Sequence, residues 1–182
     1  MRWTMAAGAC LALALLTLNA DPDLFTPAAF SSGAGPGATA CPADAKPANF
    51  NFALKDVENK PVKLTSLKGK VVLLDFWATW CGPCKIEIPW FIEFQNKYGA
   101  AGLQVVGVSV DDPLSKLKPY VAKMQMNYLV LQGLDHDDMQ DAFGPLMGIP
   151  VTVVISREGK ICGKHVGLSS KDAFENEIKA LL

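Results

Sequence analysis

Apolar positions recur along this chain in two rhythms, and their order predicts its architecture. Phe50, Phe52 and Leu54 alternate with polar neighbours, Glu58-Asn59-Lys60 turns, and Val62 and Leu64 resume the alternation, which predicts a β-hairpin. After Lys68-Gly69-Lys70, the run Val71–Phe76 is apolar on both faces, as a central strand is. A helical pattern follows over Cys84–Tyr98, then a second buried strand over Leu103–Val110. Asp111-Asp112-Pro113 suits a helix start, and Leu114 to about Met126 reads as the second helix, with Pro119 expected to kink it or delay its start. A short strand at Tyr128–Leu131 and a short helix at Asp137–Phe143, stopped by Gly144-Pro145, come next. Val151–Ile155 and Ile161–Val166 flank the turn Arg157-Glu158-Gly159-Lys160 as a second hairpin. Ser169-Ser170 can cap a last helix, Lys171–Leu182, with Phe174, Ile178 and Leu181 on one face. Alternating strands and helices closed by a hairpin predict an α/β fold: a mixed central sheet with helices on both faces and an added N-terminal β-hairpin.

Ahead of position 47 the pattern changes. Arg2 precedes an apolar stretch from Met5 to Leu18 that Asn19-Ala20-Asp21-Pro22 breaks, so residues 1–20 read as a signal peptide or an uncleaved signal anchor. Residues 21–46 are rich in Ala, Gly, Pro and Ser and read as a flexible linker, which leaves 47–182 as the folded domain. The domain is then expected to be exported, in a periplasm or on the outer face of the cytoplasmic membrane, held to the membrane by its N-terminus if that segment is uncleaved. Disulfides persist there. A net charge of −1 with no basic stretch excludes a nucleic-acid surface.

The candidate chemistry lies at Trp80-Cys81-Gly82-Pro83-Cys84, between the first central strand and the first long helix. A cysteine at a helix start meets unpaired N–H groups and the positive end of the helix dipole, which favour the thiolate. Haem attachment needs a histidine after the second cysteine, where Lys85 stands, and structural zinc needs two further ligands, whereas Cys41 and Cys162 each stand alone. The two histidines, His136 and His165, lack metal-ligand spacing, so no metal and no cofactor are expected. Disulfide exchange fits better: Cys81, expected at an exposed turn, attacks a partner's disulfide, and Cys84, inside the helix, resolves the mixed disulfide. Pro83 suits a first helical turn, where its missing N–H would go unpaired anyway. Cys84, Glu87, Phe91, Phe94 and Tyr98 step by three and four, which places Glu87 on an apolar stripe one turn from Cys84. A desolvated carboxyl there has a raised pKa and can exchange a proton with Cys84, while an exposed helix glutamate is the plainer alternative. Asp75 interrupts the apolar strand and is the second candidate, unless it is a strand-end aspartate reaching water. Pro89 is expected to kink the first helix. Trp77 is expected to pack and Trp80 to be partly exposed.

The stretch Phe76-Trp77-Ala78-Thr79-Trp80-Cys81-Gly82-Pro83-Cys84 resembles the active site of the thioredoxin superfamily. Leu67-Lys68-Gly69-Lys70-Val71-Val72, Cys84-Lys85-Ile86-Glu87-Ile88-Pro89 and Gly148-Ile149-Pro150 extend the likeness to its exported TlpA/ResA-like branch. That resemblance implies a thioredoxin fold, a redox-cycling Cys81–Cys84 pair and proton transfer by Glu87 with help from Asp75. It also implies a cis Pro150 whose loop, with Ile149, Trp80, Gly82 and Pro83, holds the substrate. Members are commonly anchored reductants of disulfide-containing client proteins, recharged by a membrane thiol-transfer partner, and several serve cytochrome c or cytochrome oxidase maturation. A disulfide oxidase or isomerase shares the motif. A thiol peroxidase needs its cysteine in a Thr-x-x-Cys setting, and Thr79 stands two residues before Cys81. A copper-delivery module would use the same two cysteines as ligands. Cys41 and Cys162 either pair, tying the N-terminal segment to the last hairpin, or remain free thiols.

Overall fold

The computed structural model describes residues 41–144 and 146–182; the expected signal segment and residues 21–40 of the expected linker lie outside the described residues. β1 (Ala53–Lys55) and β2 (Pro61–Lys63) pair antiparallel, with Leu54 opposite Val62, as a small sheet of their own. This hairpin is shorter than the alternation predicts, because Leu64 opens a tight 3₁₀ turn, Leu64–Leu67, whose leucines are buried. β3 (Val71–Trp77) is the central strand. α1 (Gly82–Tyr98), β4 (Leu103–Ser109), α2 (Leu114–Lys123), β5 (Leu129–Gln132), α3 (Asp137–Ala142), β6 (Val151–Ile155), β7 (Ile161–Val166) and α4 (Lys171–Leu181) follow.

The main sheet has the order β5-β4-β3-β6-β7. β3 runs parallel to β4 and antiparallel to β6, so the sheet is mixed. All seven residues of β3 are buried, which is what a strand covered on both faces requires. Val71, Leu73 and Trp77 pack on one face with Ile88, Phe91 and Phe94 of α1, Leu117 of α2, and Phe174 and Ile178 of α4. Val72, Leu74 and Phe76 pack on the other with Leu54, Leu64, Leu67, Met139 and Phe143. Helices cover the first face; the hairpin, the 3₁₀ turn and α3 cover the second.

Neither Pro89 nor Pro119 ends its helix, and α2 starts at Leu114 without delay. Both prolines are exposed, as are Lys85 and Ser115 four residues before them. Water can therefore satisfy the carbonyl that each proline leaves without a donor. Ahead of β1, the Ile161 N–H donates to the Lys46 carbonyl at 2.9 Å and the Ala48 N–H to the Gly159 carbonyl at 2.8 Å. Cys41 is disulfide-bonded to Cys162 across 121 residues of sequence, with Cα atoms 4.5 Å apart. Among the described residues no helix is long and apolar enough to cross a membrane.

Candidate active site

β3 ends at Trp77, and the turn Ala78–Trp80 delivers the chain to α1, where Cys81 is the N-cap. Helical structure begins at Gly82, two residues earlier than the apolar pattern suggests. Pro83 fits the first turn, and the Cys81 Sγ accepts the otherwise unpaired Cys84 N–H at 3.2 Å. Cys81 and Cys84 are disulfide-bonded, with Cα atoms 5.3 Å apart. Cys81 is not at an exposed turn as the motif suggests: only 3% of it is accessible. Its sulfur is drawn over the helix N-terminus and lies 3.7 Å from the Ile149 carbonyl oxygen, so backbone covers it from both sides. Cys84 is buried inside the helix, and Gly82 and Pro83 are exposed.

The Ile149–Pro150 peptide bond is cis. Ile149, half-buried, and Trp80, 56% exposed, border an open groove of ≈ 320 Å³ beside Cys81, with Val110, Asp111 and Leu146 in its wall. Its lining mixes apolar side chains with Asp111, Asp137 and Gln140 and runs beside Ile149, whose carbonyl faces the reactive sulfur, which suits an extended peptide. Trp77 is fully buried and stacks at 5.6 Å on Tyr120.

Two carboxyls are buried on the side of the sheet that carries Cys84. Glu87, on the face of α1 that carries Cys84, is fully buried. Its Oε1 accepts the Ser169 N–H at 3.0 Å, while its Oε2 has no hydrogen-bond partner among the described residues. Burial pushes its pKa up, against the Ser169 hydrogen bond and the nearby His165, which favour the carboxylate. Asp75 sits on β3 between Gly107 of β4 and Thr152 of β6 and accepts the Thr152 hydroxyl at 3.2 Å. Burial pushes its carboxyl well above the aspartate range, the Glu87 charge pushes it further, and the Thr152 hydroxyl opposes. The two carboxyls influence one another, so they titrate as a set. On the far side of Asp75, the buried Trp77 Nε1 and Tyr128 hydroxyl have no partner. Gly107 has no room for a side chain there: a Cβ would lie 2.8 Å from Trp77 Nε1.

A third buried carboxylate, which the sequence pattern marked only as a helix start, holds the active-site turn. Asp112 accepts the Thr79 N–H at 2.7 Å, the Thr79 hydroxyl at 2.6 Å and the Ser109 hydroxyl at 2.8 Å. Lys116 Nζ lies 2.9 Å from its Oδ1. Burial alone would raise its pKa; these partners outweigh burial and hold it below the aspartate range. Asp111 accepts the Trp80 indole N–H at 2.8 Å and fixes the ring that borders the groove. The available signal was positional: Ser109 is paired with Trp77, so residues following β4 must lie beside the turn that follows β3. Both histidines are half-buried: His136 lies 3.9 Å from the Asp138 carboxylate, and His165 contacts Ser169 and Glu177.

The model of the AhpC/TSA family matches residues 45–163. The thiol-disulfide oxidoreductase ResA of Bacillus cereus is 29% identical over 131 residues, spanning 72% of this chain and 75% of its own. ResA of Halalkalibacterium halodurans is 30% identical over 127 residues, spanning 69% and 70%. Among solved structures, a thioredoxin-family thiol:disulfide interchange protein from Chlorobium tepidum TLS superposes with a TM-score of 0.68 at 34% identity, covering 76% of this chain and 99% of that one.

Proposed function

The chain belongs to the AhpC/TSA family and is a thiol-disulfide oxidoreductase with a CxxC active site, and from that premise we propose that it reduces protein disulfides outside the cytoplasm. The observation that carries the reading is the Cys81–Cys84 disulfide at the N-terminus of α1, with the Cys81 sulfur beside the Ile149 carbonyl and the groove. In the reduced protein the Cys81 thiolate attacks one sulfur of a client disulfide and the other sulfur leaves as a thiolate. Cys84 then gives up its proton and attacks the Cys81 sulfur, which forms the disulfide seen here and releases the client's second thiol. One client disulfide becomes two thiols, and two protein thiols become one disulfide. A membrane thiol-transfer partner restores the dithiol.

Cys84 is buried, so its proton needs an acceptor within the protein. Glu87 and Asp75 take that role: burial pushes the pKa of each carboxyl up from the ordinary carboxyl range, toward that of a thiol. Trp80, Gly82, Pro83 and Ile149 form the surface that receives the client, with the buried cis Pro150 shaping the loop that presents Ile149. The Gly82-Pro83 pair is that of thioredoxin, whose potential is about −270 mV against about −120 mV for the oxidant DsbA, which favours the reducing direction. The N-terminal pattern and the Cys41–Cys162 disulfide both support an oxidising compartment, with the N-terminal segment as membrane anchor if uncleaved. The clients are disulfide-containing proteins of that compartment, and cytochrome c and cytochrome oxidase maturation proteins are the first to try.

Insulin reduction tests the assignment: it is expected from the parent and should vanish in Cys81→Ser. A measured potential near that of DsbA would reverse the direction to oxidation. Mixed disulfides trapped on Cys84→Ser in the native envelope would identify the clients.

A further inference from the structure

One rung of the main sheet carries an unusual row of polar residues. Asp75 of β3 is paired with Thr152 of β6, and Thr152 with His165 of β7. Residues paired in register project to the same face, so all three point toward α1 and α4. At the end of the row the imidazole has both nitrogens engaged. Nδ1 lies 3.2 Å from the Ser169 hydroxyl, and Nε2 lies 3.0 Å and 3.1 Å from the two Glu177 carboxylate oxygens. The edge of Phe174 packs on the ring at 4.8 Å. Ser169 is also the residue whose N–H holds Glu87 Oε1 at 3.0 Å.

We propose that His165 is a positioning residue for the exchange reaction: through Ser169 it fixes the turn that holds Glu87, and it sets a basic ring on the side of that carboxyl away from Asp75. The inference rests on Glu87 handling the Cys84 proton. The titratable groups facing His165 are Glu177 from α4, Glu87 from α1 and, one rung further, Asp75 from β3; all are acidic. Ser169, Thr152 and Phe174 are neutral. When the ring is cationic both nitrogens donate, to the Ser169 oxygen and to Glu177, so the cation is fully satisfied where it stands. Its charge favours ionised Glu87, the form that accepts the Cys84 proton. Glu177 is part-exposed, at 32% of its side chain, and links the row to solvent.

The test is the pH–rate profile of insulin reduction for the parent, Glu87→Gln, His165→Gln and the double variant. Gln can occupy the hydrogen-bonding space of the ring but cannot carry its charge. The limb of the profile that Glu87→Gln removes is expected to move up by roughly half a pH unit in His165→Gln, with no further change when His165→Gln is added to Glu87→Gln. If Glu87→Gln alters the profile and His165→Gln does not, the role of His165 falls and that of Glu87 stands. Should Glu87→Gln leave the profile unchanged, both fall. A second measurement needs no substitution at His165: in the parent, the ¹³C carboxyl signal of Glu87 should shift through the pH range in which the His165 ring signals move. A Glu87 signal that ignores the His165 titration overturns the inference.

Discussion

Asp112 and the Asp75–Glu87 pair are all buried carboxyls near the turn that carries Cys81, yet their partners differ sharply. Asp112 accepts three hydrogen bonds and faces the Lys116 ammonium, and its pKa lies below the usual aspartate range. Asp75 has one hydroxyl partner, Glu87 has one backbone N–H and an unpartnered oxygen, and both are pushed up. All three are shut off from water, yet they behave oppositely: at Asp112 the donors outweigh the burial that would raise its pKa, and at Asp75 and Glu87 they do not. Asp112 is held as a carboxylate by its donors and fixes Thr79. The Asp75–Glu87 pair is left short of donors, and so can change protonation.

The largest test of this contrast is Asp112→Ala. It strands the Thr79 N–H and the Thr79 and Ser109 hydroxyls, and should lower stability by about 3 kcal/mol or more in urea denaturation. A loss below about 1 kcal/mol would show that the clamp is not structural. Cys41→Ser is a control remote from both clusters. Removing a crosslink that spans 121 residues should destabilise by about 3 kcal/mol and leave insulin reduction unchanged. Asp75→Asn should have the opposite sign. It removes the cost of ionising a poorly satisfied buried carboxyl, so above the ordinary carboxyl range the oxidised protein should gain about 1 kcal/mol, while exchange slows roughly 10²-fold. A variant both less stable and fully active would invert the assignment.

The smallest effect is in the pH dependence of stability, and here the two regions differ in sign. Asp112 is depressed when folded; its contribution is present above the ordinary aspartate pKa of about 3.9 and is lost as pH falls through its lower folded value. Asp75 and Glu87 are raised when folded, so the native state holds protons that the unfolded chain has released. Stability from them is full below the ordinary carboxyl range and declines as pH rises through their raised values. Thermal melts of the oxidised parent should decline over that upper range, and the decline should flatten in Asp75→Asn/Glu87→Gln. An unchanged slope contradicts the pairing.

What could be read in advance follows the same division. The dithiol, the Glu87 stripe and the interrupting Asp75 are local patterns: a four-residue motif, a helical period, and one polar residue in an apolar strand. Asp112, by contrast, acquires its role from the pairing of Trp77 with Ser109, which sets β4's end beside the active-site turn. Cys81 is covered through Ile149, 68 positions away, and Glu87 is held by Ser169, 82 positions away. No periodicity reports contacts at such separations. His165 looked like an ordinary lone histidine for that reason, since its partners come from α4 and the preceding turn.

The central claim is that the two buried carboxyls serve the Cys84 proton. Its most direct measurement is the pH–rate profile of protein-disulfide reduction by the parent and by Asp75→Asn/Glu87→Gln, with native fold confirmed for both. The account predicts a limb in the parent, above the ordinary carboxyl range, that the double variant lacks, together with a roughly 10²-fold slower rate at neutral pH. Superimposable profiles would contradict it.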